Sequence, residues 1–167
     1  MNQQTKLQDL VITRVFDYPV ELVWNAWTDP RLVMLWWGPA DYTSPFCELD
    51  FREGGKYLFC MRAPAEQGGQ DFYSTGVYEK IVSLERLEFT QYLSDKDGNI
   101  VEPAQVGMPE DFPYEVKFEI QFVAQVEQTK LIITERNWTT GQMSKYAVIG
   151  MNQSLDKLAA SLNTPNR

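Results

Sequence analysis

The sequence predicts an α+β domain in which one twisted antiparallel sheet packs against a single long C-terminal helix, with two short helices near the N-terminus. Three observations carry this reading. From Tyr42 to Trp138 the chain is a run of β-branched and apolar segments separated by turn residues. At the C-terminal end, Met143, Ala147, Met151, Leu155, Leu158 and Leu162 recur at three- and four-residue steps. Near the start, Asp17-Tyr18-Pro19 and Asp29-Pro30 give two helix-start signals in quick succession. A sheet and a helix that each have one apolar face bury both by packing together. The 167 residues suit one domain over 1–167.

Leu7 to Phe16 is rich in β-branched and apolar residues and reads as the first strand. Pro19 suits the first turn of a helix, and Val20, Val23, Trp24 and Trp27 follow at helical spacing. A second short helix is expected after Pro30, carrying Leu32, Leu35 and Trp36, and ended by Gly38-Pro39. Trp24, Trp27, Trp36 and Trp37 are expected to anchor these helices against one end of the sheet, with Trp36 and Trp37 as alternative members of a pocket mouth.

The first hairpin turns at Glu53-Gly54-Gly55. A three-residue loop sets Phe51 opposite Tyr57, Leu49 opposite Phe59 and Cys47 opposite Met61, which keeps the apolar side chains on one face. Cys47 and Cys60 then lie on opposite faces and are expected to be free thiols. Pro64 to Gln70 is a loop. Phe72–Val82 and Arg86–Leu93 form the next hairpin, whose register stays open because both parities mix apolar and polar residues. Ser94–Pro113, with its glycines and prolines, is a connection of the length that is usually functional or mobile. Tyr114–Val123 alternates, with Val116, Phe118, Ile120 and Phe122 on one face, and Thr129–Trp138 is the last strand. Thr139 or Thr140 is expected to cap the helix Gln142–Leu162, about 30 Å long. Its wet side is expected to carry Ser144, Lys145, Gln153, Asp156 and Lys157.

Composition excludes several classes of function. The chain has no histidine, which removes Ser-His-Asp, Cys-His and His-metal arrangements together. With 15 basic against 23 acidic residues the net charge is -8, so nucleic-acid binding is not expected. No apolar run approaches the length of a membrane span, and the polar segment 1–6 shows no leader. No phosphate-binding glycine motif occurs. No metal or other cofactor is expected, and the default location is the cytoplasm.

Particular residues sit at the joints of this pattern. They are the stretch Pro19-Val20-Glu21-Leu22-Val23-Trp24-Asn25-Ala26-Trp27-Thr28-Asp29-Pro30, then Trp36-Trp37-Gly38-Pro39 and Asp50-Phe51-Arg52-Glu53-Gly54-Gly55. Asp97-Gly98-Asn99 through Gly107-Met108-Pro109 and Ser154-Leu155-Asp156-Lys157-Leu158 complete the set. With them the chain resembles the START-like helix-grip superfamily over nearly its full length, and within it the branch named for activators of the heat-shock protein 90 ATPase. The resemblance implies a helix-grip fold with a space between sheet and helix that takes apolar small molecules in many members. Two departures stand out. Gly150-Met151 replaces the Gly-Trp usual on the family's C-terminal helix. The eukaryotic activators also carry a separate N-terminal domain that contacts the chaperone, for which this chain leaves no residues, so chaperone contact is not expected.

The expected lining is Phe51, Tyr57, Phe59, Met61, Phe118, Ile120, Met143, Ala147 and Met151, with core filling as the alternative for each. Glu135 is the best polar candidate. If Leu131 and Ile133 face inward, so does Glu135, and burial would raise its pKa. The alternative is a solvated strand end paired with Arg136. Tyr73, Tyr78 and Tyr92 are further hydroxyl candidates. Gly150 inside a well-patterned helix costs about 1 kcal/mol relative to alanine. Close helix–sheet packing is the expected reason, with room for a ligand as the alternative. The leading expectation is a non-enzymatic protein that binds a small, largely apolar molecule. The alternatives are a cyclase- or aromatase-like enzyme using Glu135 or a tyrosine, and a protein-partner module using the outer sheet or the Ser94–Pro113 loop. A homodimer stays open.

Overall fold

The computed structural model describes residues 7–163, so the polar segment 1–6 read above for the absence of a leader lies outside the described residues. The chain runs β1 (Leu7–Phe16), α1 (Val20–Thr28), α2 (Pro30–Val33), β2 (Thr43–Leu49), β3 (Lys56–Arg62), β4 (Asp71–Val82) and β5 (Arg86–Ser94). It closes with β6 (Val116–Gln125), β7 (Gln128–Thr139) and α3 (Gln142–Leu162). All seven strands form one antiparallel sheet in the order β1-β7-β6-β5-β4-β3-β2. This is the α+β helix-grip arrangement, with α3 against the inner face. No described helix is long and apolar enough to cross a membrane.

Alternation sets the inner face. Val116, Phe118, Ile120 and Phe122 of β6, with Leu131 and Ile133 of β7, are buried. The tryptophans of α1 and of the segment just after α2 plug one end. Trp36 donates from Nε1 to the Ala26 carbonyl at 2.9 Å and packs edge-on against Trp27 at 4.6 Å. The second helix is shorter than expected. It ends at Val33, and Leu35 points to solvent while Trp36 turns inward.

The first hairpin keeps the expected faces but not the expected partners. Leu49 pairs with Tyr57, Cys47 with Phe59 and Phe46 with Cys60, a slip of two residues. The loop is longer because Asp50 still pairs with Lys56, its N–H reaching that carbonyl at 2.9 Å. The turn then docks on β4, where Gly54 N–H donates to Tyr78 O at 2.8 Å and Tyr78 N–H to Gly55 O at 2.9 Å. Gly55 comes so near Asp50 that a Cβ there would lie 1.9 Å from the Asp50 carbonyl oxygen. The slip of two preserves parity, so Cys47 and Cys60 remain on opposite faces as free thiols. Burial pushes the Cys47 thiol up to about 12.

The open register of the second hairpin has a physical reason. An irregularity between Tyr78 and Lys80 shifts the pairing with β5, so no single parity holds along it. Before the shift, Ser74 pairs with Leu93; beyond it, Ile81 pairs with Leu87.

Helix α3 has the expected bounds but another cap. Gly141 is the N-cap residue and offers no side-chain bond. The carboxylate of Asp111, in the β5–β6 connection, accepts from the Met143 N–H at 3.1 Å. The Thr139 hydroxyl donates to the Asp111 carbonyl at 2.7 Å instead of capping. A Cβ on residue 141 would meet the Asp111 carboxylate at 2.3 Å, so glycine is what admits this distant cap. Two residues assigned to the wet side are drawn inward by bonds. Ser144 is buried and donates to the Gly141 carbonyl. Lys157 donates to the carbonyls of Pro39 and Tyr42 at 3.0 and 2.9 Å, and burial lowers its pKa.

Candidate functional site

The N-terminal half of α3 lies over the inner face of the sheet, with Met143 and Ala147 only partly buried against the core. Between them opens a pocket of about 500 Å³. The sheet supplies Met61, Phe72, Leu93, Phe118 and Glu135, and the helix supplies Met143, Tyr146, Ala147, Gly150 and Met151. The segment Trp37–Tyr42 forms one rim, and Val106 to Phe112 of the β5–β6 connection forms another. The long connection is thus packed as a wall. A short 3-10 turn at Pro103–Val106 stiffens it, with the Glu102 N–H held by the Gln105 side chain at 2.7 Å. Four of the chain's six methionines line the pocket: Met61, Met108, Met143 and Met151. Unbranched thioethers give a wall that adapts to irregular shapes.

Glu135 is the polar feature of this wall. It is 3% exposed and follows the buried Leu131 and Ile133 along β7. The alternation breaks just beyond it. Asn137 adopts φ +77°, a left-handed conformation that asparagine tolerates better than most residues. The extra residue opposite Gln8–Leu10 turns Trp138 to the same side as Glu135. The Trp138 indole N–H therefore donates to Glu135 Oε1 at 3.0 Å, while Oε2 is buried without a partner. Burial raises the Glu135 carboxyl to about 7, opposed in small part by the Trp138 bond. Arg136 does not pair with it. Arg136 faces the outer side, 2.9 Å from Glu119 and 2.5 Å from Asp9.

Of the expected lining, Met61, Phe118, Glu135, Met143, Ala147 and Met151 border the pocket. Phe51, Tyr57, Phe59 and Ile120 do not; they fill the core at the end plugged by tryptophans. Phe51 packs edge-on against Tyr78 at 5.1 Å, and Phe59 against Trp37 at 4.7 Å. Tyr57 donates to the Thr90 carbonyl at 2.5 Å, and Ile120 is fully buried. All four share the inner face with the pocket residues. Alternation reports a side chain's face and not its distance from the tryptophan plug.

The tyrosine candidates are displaced too. Tyr78 is buried in the same aromatic core, and Tyr92 donates to Glu115. Tyr73 borders the pocket, though its strand position pairs it with Cys60 on the outer parity. Gly150 makes no tight approach to the sheet. A Cβ there would meet only Pro39, at an ordinary 3.6 Å, so the close-packing explanation falls and the residue belongs to the pocket wall. Among the residues missed are Tyr42, Phe72, Leu93, Met108, Phe112, Trp138 and Tyr146. Tyr146 was within reach, being four residues before Gly150 on one helix face. The loop residues carry no periodicity, and Trp138 depends on the bulge at Asn137.

A fold of this shape defines a helix-grip protein with an apolar pocket under its C-terminal helix. Residues 17–163 match the model of the family described as Activator of Hsp90 ATPase homolog 1-like protein, and the chain belongs to that family. It is similar to a solved protein from Arthrobacter aurescens, with 23% identity over 97% of this chain and 93% of that one, and a TM-score of 0.77. A protein from Chromobacterium violaceum is 24% identical over 93% and 97% of the two chains, with a TM-score of 0.74. An AHSA1 protein from Silicibacter pomeroyi is 23% identical over 93% and 98%, also at 0.74. At these identities the likeness is one of fold. No curated protein matches the sequence.

Proposed function

We propose that this is a non-enzymatic cytoplasmic binding protein whose pocket takes a small, largely apolar molecule. One observation supports the reading above others: half-buried apolar side chains from the sheet, the helix and the β5–β6 connection converge on one open volume. A pocket of aromatic and aliphatic groups around a few polar ones is the usual form of a small-molecule site. Met61, Phe118, Met143, Ala147 and Met151 would hold the apolar body, and Glu135 would meet its polar group. The test is native mass spectrometry of protein taken directly from cells. A reproducible mass increment, lost when the apolar pocket is filled by Ala147→Trp, is the expected result. Protein free of any increment, and indifferent to a panel of apolar probes, would overturn it.

Glu135 itself favours a second reading, a cyclase- or aromatase-like enzyme in which this carboxyl moves a proton. A carboxyl held near neutrality in a dry site suits general acid–base work. Turnover of a bound molecule that is lost in Glu135→Gln while binding persists would select the enzyme.

A further inference from the structure

We propose that the molecule taken by this pocket is an organic cation, an apolar body bearing one protonated amine, with Glu135 as its counter-ion. The proposal rests on the pocket reading above and adds the chemistry of the polar group. Glu135 Oε2 is buried without a partner at the wall of the pocket. A buried carboxylate oxygen left unpaired costs about 1–3 kcal/mol or more, so its place in the wall calls for a donor. The protein supplies none beyond Trp138. Among the described residues, no lysine or arginine lines the pocket, and neighbouring Arg136 is held on the opposite face by Glu119 and Asp9. Trp138 can only donate, so its bond to Oε1 orients a group that accepts and leaves the lone pairs of Oε2 for the ligand.

The surroundings suit a cation further. Trp37, Tyr42, Phe112, Phe118 and Tyr146 place aromatic rings around the same volume, and ring faces attract a positive charge. Oε2 is sealed from water, and the wall that holds it carries four methionines, Met61, Met108, Met143 and Met151, whose unbranched side chains adapt to an incoming group. The elements around Glu135 bring few other titratable groups. Its strand partners are Leu10 of β1 and Phe118 of β6. The lining adds the phenols Tyr42, Tyr73 and Tyr146. Asp111 is engaged at the start of α3, and Lys157 is tied to Pro39 and Tyr42. Burial raises Glu135 to about 7, so a cation that binds the ionised form displaces a proton near neutrality.

The test uses two probes with one skeleton, naphthylethylamine and naphthylethanol, titrated into the full chain by calorimetry near pH 8. The amine is expected to bind at least about tenfold more tightly, the yield of one charge-assisted bond. In Glu135→Gln that preference should vanish, and in the wild type the amine, but not the alcohol, should weaken as pH falls to about 6. If Glu135→Gln fails to fold, as judged by circular dichroism, the wild-type pH profiles of the two probes decide alone. An alcohol that binds as well as the amine near pH 8, or a preference that survives Glu135→Gln, overturns the counter-ion while leaving the apolar pocket in place. Binding of neither probe overturns the proposal, and the mass measurement above then judges the pocket reading separately.

Discussion

The two halves of helix α3 are made of similar sequence and do opposite things. In the C-terminal half, Leu155, Leu158 and Leu162 are buried in the core. In the N-terminal half, Met143 and Ala147 continue the same apolar stripe but remain partly open, because they face the pocket. Polar ties hold the helix at this distance. Arg14 bonds Asp156 at 2.8 Å, Ser154 donates to the Gly38 carbonyl at 2.8 Å, and Asp111 holds the first turn. One stripe thus serves as core at one end and as one wall of the pocket at the other. An apolar pattern says that a face is turned away from bulk water, and the neighbouring elements decide whether protein or a ligand fills the space.

The sharpest way to break this comparison is truncation in each half. Leu158→Ala removes a fully buried side chain and is expected to cost about 4 kcal/mol, whereas Met143→Ala should cost about 1 kcal/mol. Denaturant midpoints of the two variants measure both, and equal losses would mean that the N-terminal half is packed core.

Glu135 should give the next largest effect. Its folded carboxyl lies near 7 against an ordinary 4.5, so burial penalises the ionised form. Its stabilising contribution is complete below about pH 4 and is lost as pH rises through 7, a change of about 3 kcal/mol. Glu135→Gln has no such charge. Its stability relative to the wild type should therefore be higher near pH 8 than near pH 4, as read from urea midpoints at both values. A difference independent of pH would return Glu135 to a solvated position.

The smallest expected effect is at Gly150. Since a Cβ there meets only Pro39 at an ordinary distance, Gly150→Ala should raise stability by roughly 0.5–1 kcal/mol through helix propensity. At Gly76 in β4 the outcome should be opposite, because a Cβ would lie 1.8 Å from the Thr90 carbonyl oxygen. A thermal melt of each alanine variant checks the pair. A destabilised Gly150→Ala would restore the close-packed helix.

Much of the fold was legible in the residues alone, for a simple reason. Period-two alternation in β6 and the three- and four-residue stripe of α3 are local consequences of backbone geometry, so their apolar faces could be read directly, and the bounds of α3 with them, while β6 runs two residues later than the expected Tyr114–Val123. The helix-grip family was read from a resemblance, carried by stretches such as Trp36-Trp37-Gly38-Pro39 and Asp50-Phe51-Arg52-Glu53-Gly54-Gly55. The inward turn of Glu135 was readable too, since Leu131, Ile133 and Glu135 lie two residues apart on one strand. Tertiary structure decided what depends on non-local partners. Docking of the Gly54-Gly55 turn on β4 set the first hairpin's register, and Asp111 capped a helix more than 30 residues away in the chain. The bulge at Asn137 brought Trp138 onto Glu135. The tryptophan plug separated Phe51, Tyr57, Phe59 and Ile120 from a pocket whose face they share. Periodicity fixes the direction of a side chain, but only the packed elements around it set how much space lies in that direction.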